Sequence, residues 1–313
     1  MKNFFKSILF IIIFIFIYYG LSFVMLPKTN IKEFGLYNTS LYEIMGEKSN
    51  SIDAIVLGDS LVYSSIVPIE IYHDYGYTVF DCSEPAFVLP DAYKYYELAL
   101  ESQKPKIVIL EGNMFFRNSK KRRWYIKYTR MLKNVMPLIS YHNNWKNILF
   151  SEYGLMSVEK GYRLNTTIVP SKNENYMIDK GDTYQFLEEN INYLQRFINL
   201  AKEKNIKLII MGFPSQNSWN HAKDEVFKML SQKYDFTYFN LNNVDLNINW
   251  MHDTKDSGGH LNYFGAQKAT QYLGKYLQDL NLLEDHRHDK KYKTWNDAYE
   301  RHIEKVAKEK SSN

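Results

Sequence analysis

The sequence predicts a three-layer α/β/α sandwich built on a mainly parallel sheet, preceded by one transmembrane helix. Three observations carry that reading. Short apolar runs such as Ala54–Leu57, Lys106–Leu110 and Lys207–Met211 read as strands buried on both faces. They alternate with stretches of helical spacing, a rhythm that builds parallel sheets covered by helices on both sides. Residues 8–26 carry no charge and consist mostly of Ile, Phe, Leu and Val.

Those nineteen residues would extend roughly 28 Å as a helix, enough to cross a hydrocarbon core. Pro27 and Lys28 stop the run. A cleaved signal peptide is the alternative, but it would have a shorter apolar region and a small-residue cleavage site. The run ends instead in Phe23-Val24-Met25-Leu26. We therefore expect residues 1–27 to be an uncleaved anchor. Lys2 and Lys6 on one side nearly balance Lys28 and Lys32 on the other, so the positive-inside rule decides little. The expected orientation is a cytoplasmic N-terminus and an extracellular domain, held at the cell membrane by a single pass.

Residues 28–52 read as a polar stem. The α/β domain then spans 53–283. Ala54–Leu57 is its first strand, closed by Gly58. Pro68–Tyr75 is a short helix with proline in its first turn, and Thr78–Phe80 is a second strand. Asp91 is placed to cap a helix running to about Ser102. Lys106–Leu110 is the third strand. Phe186, Leu187, Ile191, Leu194, Ile198 and Ala201 recur at helical spacing. Lys207–Met211 and Phe236–Leu241 complete the strands, and Tyr263–Leu280 is strongly helical. Residues 114–182 break the alternation and read as an insertion over the carboxyl edge of the sheet. Its basic run, Lys120-Lys121-Arg122-Arg123, is either a solvated loop or a contact for anionic headgroups or wall polymer. Residues 284–313 form a charged helical tail, with Trp295 and Tyr299 as its anchors.

The formal net charge of the 313 residues is +4, and Lys2, Lys6 and Lys28 supply three of those charges. The folded part is nearly neutral, which argues against a nucleic-acid partner. A single cysteine, Cys82, excludes an internal disulfide and a cysteine-rich metal site. His286-x-His288 lacks the partner ligands of a metal centre and reads as the solvated start of the tail helix. Neither a metal nor a cofactor is expected.

Chemistry concentrates at three strand ends and loops. In an open parallel sheet, ligands bind at the carboxyl ends of strands. The first strand ends in Gly58-Asp59-Ser60, where Ser60 is a candidate nucleophile after a glycine that permits a tight turn. The third ends in Glu111-Gly112-Asn113, where an amide can donate to a developing oxyanion. Such a donor is typically worth ~3 kcal/mol of transition-state stabilisation. The loop Asp253–Asn262 precedes the last long helix and carries His260, placed to take a proton from Ser60 while a nearby carboxylate holds its tautomer. Asn262 reads as a helix cap. Cys82 has no basic neighbour and reads as a buried bystander.

The order and spacing of Ser60, Asn113 and His260 resemble the SGNH, or GDSL-like, hydrolase superfamily, whose fold is the flavodoxin-like sandwich expected here. A longer resemblance, over about residues 53–300, points to the membrane-anchored branch of Gram-positive bacteria. That branch is related to the D-alanyl transfer protein of teichoic acid synthesis and to the alginate acetylation proteins. It rests on Val62–Pro68, Leu138–Trp145, Gly259–Ala266, and the tail residues Asp285-His286-Arg287 with Trp295.

Two departures from that pattern matter. The acid usually three residues before the histidine is replaced by Ser257. We take Asp256 as the orienting acid, with Gly258-Gly259 absorbing the extra residue, and Asp253 as the alternative. The second-strand glycine is not evident in Asp81–Ala86, and Ser83 is the nearest residue able to offer a backbone N–H. A weakened oxyanion hole suits slow or partner-dependent chemistry.

The resemblance implies a serine acyltransferase or esterase acting on O-acyl groups of a cell-surface polysaccharide or teichoic acid. Acetyl is favoured over D-alanyl, and a membrane-bound O-acyltransferase is the implied partner. The competing reading is a catalytically weak glycan-binding or assembly protein that recruits that acyltransferase.

Overall fold

The computed structural model describes residues 2–25, 43–44, 46–119, 128, 136, 138, 158–172 and 175–312. Most of the expected stem, the basic run at 120–123 and the 138–145 stretch apart from Leu138 lie outside them. The chain divides into two units, residues 1–38 with 119–155, and residues 39–118 with 156–313. In the first, helix α1 (Lys2–Met25) contains a 21-residue segment with a mean hydropathy of 2.3, long and apolar enough to cross a membrane.

The second unit is built on five parallel strands: β1 (Ala54–Leu57), β2 (Val79–Asp81), β3 (Ile107–Glu111), β4 (Lys207–Gly212) and β5 (Thr237–Asn240). Their spatial order is β2-β1-β3-β4-β5. Ala54 lies between Val79 and Ile107, and Glu111 pairs with Met211, so the carboxyl ends of the central strands lie level. Every residue of β1 and β3 is buried. Helices α2 (Val62–Ser65), α3 (Pro68–Tyr75), α4 (Leu89–Ser102), α5 (Glu188–Glu203), α6 (His221–Lys233), α7 (Tyr263–Asp279) and α8 (Lys293–Ser312) surround the sheet.

Neighbouring residues of β5 show the three layers. Tyr238 stacks on Phe227 of α6, while Phe239 stacks on Tyr272 and Tyr276 of α7. Successive strand side chains point to opposite faces, so α6 and α7 lie on opposite sides. The α6 side includes α4 and α5, joined through Tyr96 and Phe197. The α7 side includes α3 and α8.

One expectation about helix starts needs correction. Asp91 is not the cap of α4. The cap position is Val88, with proline at the start of the helix and Asp91 in its first turn. There the carboxylate still opposes the positive end of the helix dipole.

The tail is held by buried ions. Trp295, Ala298, His302 and Val306 recur on one buried face of α8. Tyr299 stacks on His73. Lys160 and Glu47 form an ion pair of 2.6 Å, closed to solvent, and Trp295 Nε1 donates to the same carboxylate. His302 is enclosed between Glu159, at 2.7 Å, and Glu70, at 3.3 Å. The expected solvated start at His286 is also corrected. That imidazole stacks on Tyr292 and sits 3.1 Å from Asp53, and the long helix begins later, at Lys293.

Burial works to lower the His302 pKa, but its hydrogen bonds to Glu159 and Glu70 outweigh that and raise it to about 9. A folded-state value above the ordinary one near 6.5 means that the stabilisation is complete below about pH 6.5 and is lost as pH rises through about 9. Denaturant titrations between pH 6 and pH 10 should show this loss. It should disappear in His302→Gln, which should also be less stable at pH 7.

Candidate active site

The strand order places a crevice where the functional residues emerge. From β1 the chain moves to one neighbour, β2, and then crosses back to β3 on the other side. Loops leaving β1 and β3 therefore diverge, and open sheets bind ligands at such a switch point. Ser60 leaves β1 and Asn113 leaves β3.

Gly58 serves this edge by its size. Its φ is not positive, so its left-handed freedom is unused. A Cβ at Gly58 would lie 2.2 Å from Val62 Cγ2 and 2.6 Å from Glu111 Cβ. The missing side chain lets α2 and the end of β3 close over β1. Asp59 then turns the chain, its carboxylate accepting the Leu61 N–H at 2.8 Å. Its other oxygen pairs with Arg117, whose guanidinium also donates to Phe87 O at 3.0 Å.

Beside it, Glu111 accepts the backbone N–H groups of Asn113 at 2.5 Å and Met114 at 3.0 Å. This locks the 3₁₀ turn Gly112–Phe116. Burial, with the Asp59 charge, holds the Glu111 carboxyl well above its usual range. The Asn113 amide oxygen accepts from Lys223 Nζ at 2.9 Å.

His260 comes from a loop closed on itself and on its neighbours. Thr254 and Leu261 form an antiparallel bridge. Thr254 Oγ1 donates to His260 O and accepts the Gly258 N–H. Gln216 N–H and Ser215 Oγ hold the carbonyls of Gly258 and Gly259. Ser257 and Gly258 both have positive φ, at 57° and 87°. That left-handed pair is the bend through which the chain reverses.

The bend brings Asp256 back onto His260. One carboxylate oxygen accepts the His260 N–H at 2.6 Å and the other meets Nδ1 at 2.5 Å. An ionised carboxylate only accepts, so Nδ1 carries the proton and Nε2 is an acceptor. Ser60 Oγ lies 2.7 Å from Nε2. Asp256, His260 and Ser60 thus form one continuous hydrogen-bonded chain. Asp253 is elsewhere. It is buried under Lys268, His252 and the Asn249 N–H. Burial pushes its pKa up, but those donors outweigh burial and hold it below the usual range.

Ser83, the residue expected to offer a third donor, is fully buried beside Asp81. Burial raises the Asp81 carboxyl to about 7 against the opposing hydrogen bonds of Ser83. Cys82 is fully buried, and burial pushes its thiol well above the ordinary value, so it is not a nucleophile.

No family model and no curated protein matches the chain. Solved structures to which it is similar include lipases, acylhydrolases and esterases. A GDSL-like lipase from Bacteroides thetaiotaomicron overlays with a TM-score of 0.41 at 8% identity, over 76% of this chain and 95% of that one. A lipase/acylhydrolase from Enterococcus faecalis gives 0.40 at 11% identity, over 75% and 98%. A family 3 carbohydrate esterase from Clostridium thermocellum gives 0.37 at 13%, over 73% and 96%.

Several residues of the site were given no role by the sequence. Arg117, which balances Asp59, stands six positions after Glu111 with no motif around it. Lys223 follows a recognisable helix cap, Asn220, whose side chain accepts the Lys223 N–H. Tyr63 lies beside Ser60 with its hydroxyl pushed up by burial, and Arg163 lies over its ring at 4.2 Å. Lys255, lowered by burial, donates to Ser64 at 2.7 Å.

The two acids of the loop should separate by phenotype. Asp253→Asn should lower the melting temperature, because Lys268 loses a buried charged partner. Asp256→Asn should leave the melting temperature within a few degrees of the parent, since its carboxylate is partly exposed. Circular dichroism melts of both variants give the comparison.

Proposed function

We propose that the chain is a serine acyl-transfer enzyme of the SGNH type, using Ser60 as nucleophile, His260 as general base and acid, and Asp256 to orient the imidazole. The observation that carries this reading is the unbroken hydrogen-bonded series from Asp256 through His260 to Ser60 at the switch point of the sheet.

The chemistry follows from the proton positions. Ser60 gives its proton to Nε2 as Oγ attacks the ester carbonyl. The resulting oxyanion is met by the Ser60 N–H and by Asn113 Nδ2, neither of which has another hydrogen-bond partner among the described residues. The Ser83 N–H is the third donor expected from the sequence. Its position beside Asp81 supports a two-donor hole and slow turnover. The imidazolium then protonates the leaving alcohol, and an acyl group remains on Ser60. His260 next deprotonates the second acceptor. Water completes an ester hydrolysis, and a glycan or polyol hydroxyl completes a transfer.

The finer assignment rests on the sequence resemblance and the apolar α1. The substrate is an O-acyl group, acetyl before D-alanyl, of a cell-surface polysaccharide or teichoic acid. The partner is a membrane-bound O-acyltransferase that delivers acyl groups outward. The catalytic domain is extracellular, and α1 anchors it to the membrane.

A fluorophosphonate probe tests the enzyme directly. Ser60 should be labelled, and Ser60→Ala should abolish labelling. A folded protein that does not react favours the binding or assembly role instead. Asp256→Asn should slow labelling and ester turnover by orders of magnitude, as expected when the imidazole tautomer is lost.

A further inference from the structure

We propose that Lys223 is a positioning residue for the oxyanion site, fixing the Asn113 side chain so that its NH₂ group, not its oxygen, is presented to the reacting carbonyl. The proposal rests on the serine-enzyme reading above and deepens it.

The Asn113 backbone N–H is already taken by Glu111, so only the side chain can serve an oxyanion. An amide has two ends of opposite character, and in the wrong orientation it would set a carbonyl oxygen against developing negative charge. Lys223 decides between them. An ammonium has donors only, so the Asn113 atom it meets at 2.9 Å is the oxygen. The NH₂ end then has no partner among the described residues. Donation to the oxygen also polarises the amide and strengthens its N–H donors.

Lys223 is itself held in place. Its ammonium donates to Ser218 O at 2.6 Å and lies 5.2 Å from the centres of both the Phe116 and Tyr184 rings. Its backbone N–H is fixed by the Asn220 cap. Local preference opposes a lysine here. It stands in the first turn of α6, where the helix dipole disfavours a cation, and burial lowers its pKa. Glu111 and Asp59 beneath the site oppose that shift, and Arg117 adds to it. A residue that breaks local rules in this way is expected at functional positions.

The test is a double-mutant cycle on the full-length chain in detergent, read by p-nitrophenyl acetate hydrolysis and fluorophosphonate labelling. Asn113→Ala should lower kcat by about 10²-fold or more. Lys223→Met should lower kcat by about tenfold or more, with KM changed less than about twofold, because the loss lies in the transition state. In the Asn113→Ala background, Lys223→Met should cost nothing further. Lys223→Arg, which keeps a charged donor, should recover part of the loss. Unchanged kcat in Lys223→Met, or additive losses in the double variant, overturns the proposal. Where Lys223→Met does not fold, Lys223→Gln takes its place in the cycle. A parent that neither turns over nor labels refutes the enzyme reading alone. Lys223 is then judged from ¹H–¹⁵N spectra in detergent micelles. The side-chain NH₂ pair that Asn113→Ala removes should shift in Lys223→Met, and an unmoved pair overturns the proposal.

Discussion

The reversal of strand order between β1 and β3 is the constraint from which the site follows. Parallel strands send their loops out at the same edge, but only where consecutive strands fall on opposite sides does a gap open between those loops. Here that gap needs two strand ends in close approach, and Gly58 supplies it. Any side chain at that position would overlap Val62 and Glu111. The serine turn, the 3₁₀ turn carrying Asn113 and the base of α2 therefore share one point of contact. His260 then needs only to arrive from the loop before α7, and the clamps on Gly258 and Gly259 deliver it.

Charge is used differently around the site and under the tail helix. Beneath the site, Asp59, Glu111, Arg117 and Lys223 are buried or half-buried around the two turns. Their hydrogen bonds go mainly to backbone groups and to the Asn113 amide, so their effect is to fix direction. Away from the site, Glu47 with Lys160, and His302 with its two glutamates, tie α8 to the body. Replacing a buried pair with apolar residues often leaves stability unchanged or improved, whereas removing one partner costs about 3–5 kcal/mol. Such pairs specify where a helix docks more than they strengthen it.

The architecture was legible because both of its signals are local. Apolar runs of four to six residues and the helical spacing of α5 and α7 survive in the sequence, and their alternation leaves few topologies. The convergence of Ser60, Asn113 and His260 was legible because the first two follow recognisable strands and the third precedes a recognisable helix. The start of α4 was misplaced because a polar residue near a helix start was taken as its cap, while proline at the first positions set the boundary earlier. His286 was misread for a different reason. Its burial comes from Asp53 and Tyr292, and Asp53 is 233 residues away. Arg117 and Lys223 were missed on the same ground. A lone cation has no pattern, and only the folded chain shows what it faces.

The geometry of the acid shows what a changed spacing requires. With three residues between Asp256 and His260, the carboxylate can reach both the backbone N–H and Nδ1 of the histidine only if the intervening chain reverses. Two consecutive left-handed residues accomplish that. One is Gly258, where no Cβ opposes the conformation. The other is Ser257, which bears a Cβ and is disfavoured there. The Ser257 N–H donates to Val169 O, so the segment carrying Val169 helps to hold the strained residue. The position that lacks the expected acid is thus the bend that lets its neighbour reach the imidazole. Orientation of His260 then depends on Asp256 in two ways. The carboxylate fixes the ring through Nδ1 and fixes the backbone that carries the ring through the N–H. An acid held only at Nδ1 would leave that backbone to other contacts, so a single carboxylate here does the work of a tautomer lock and a loop clasp.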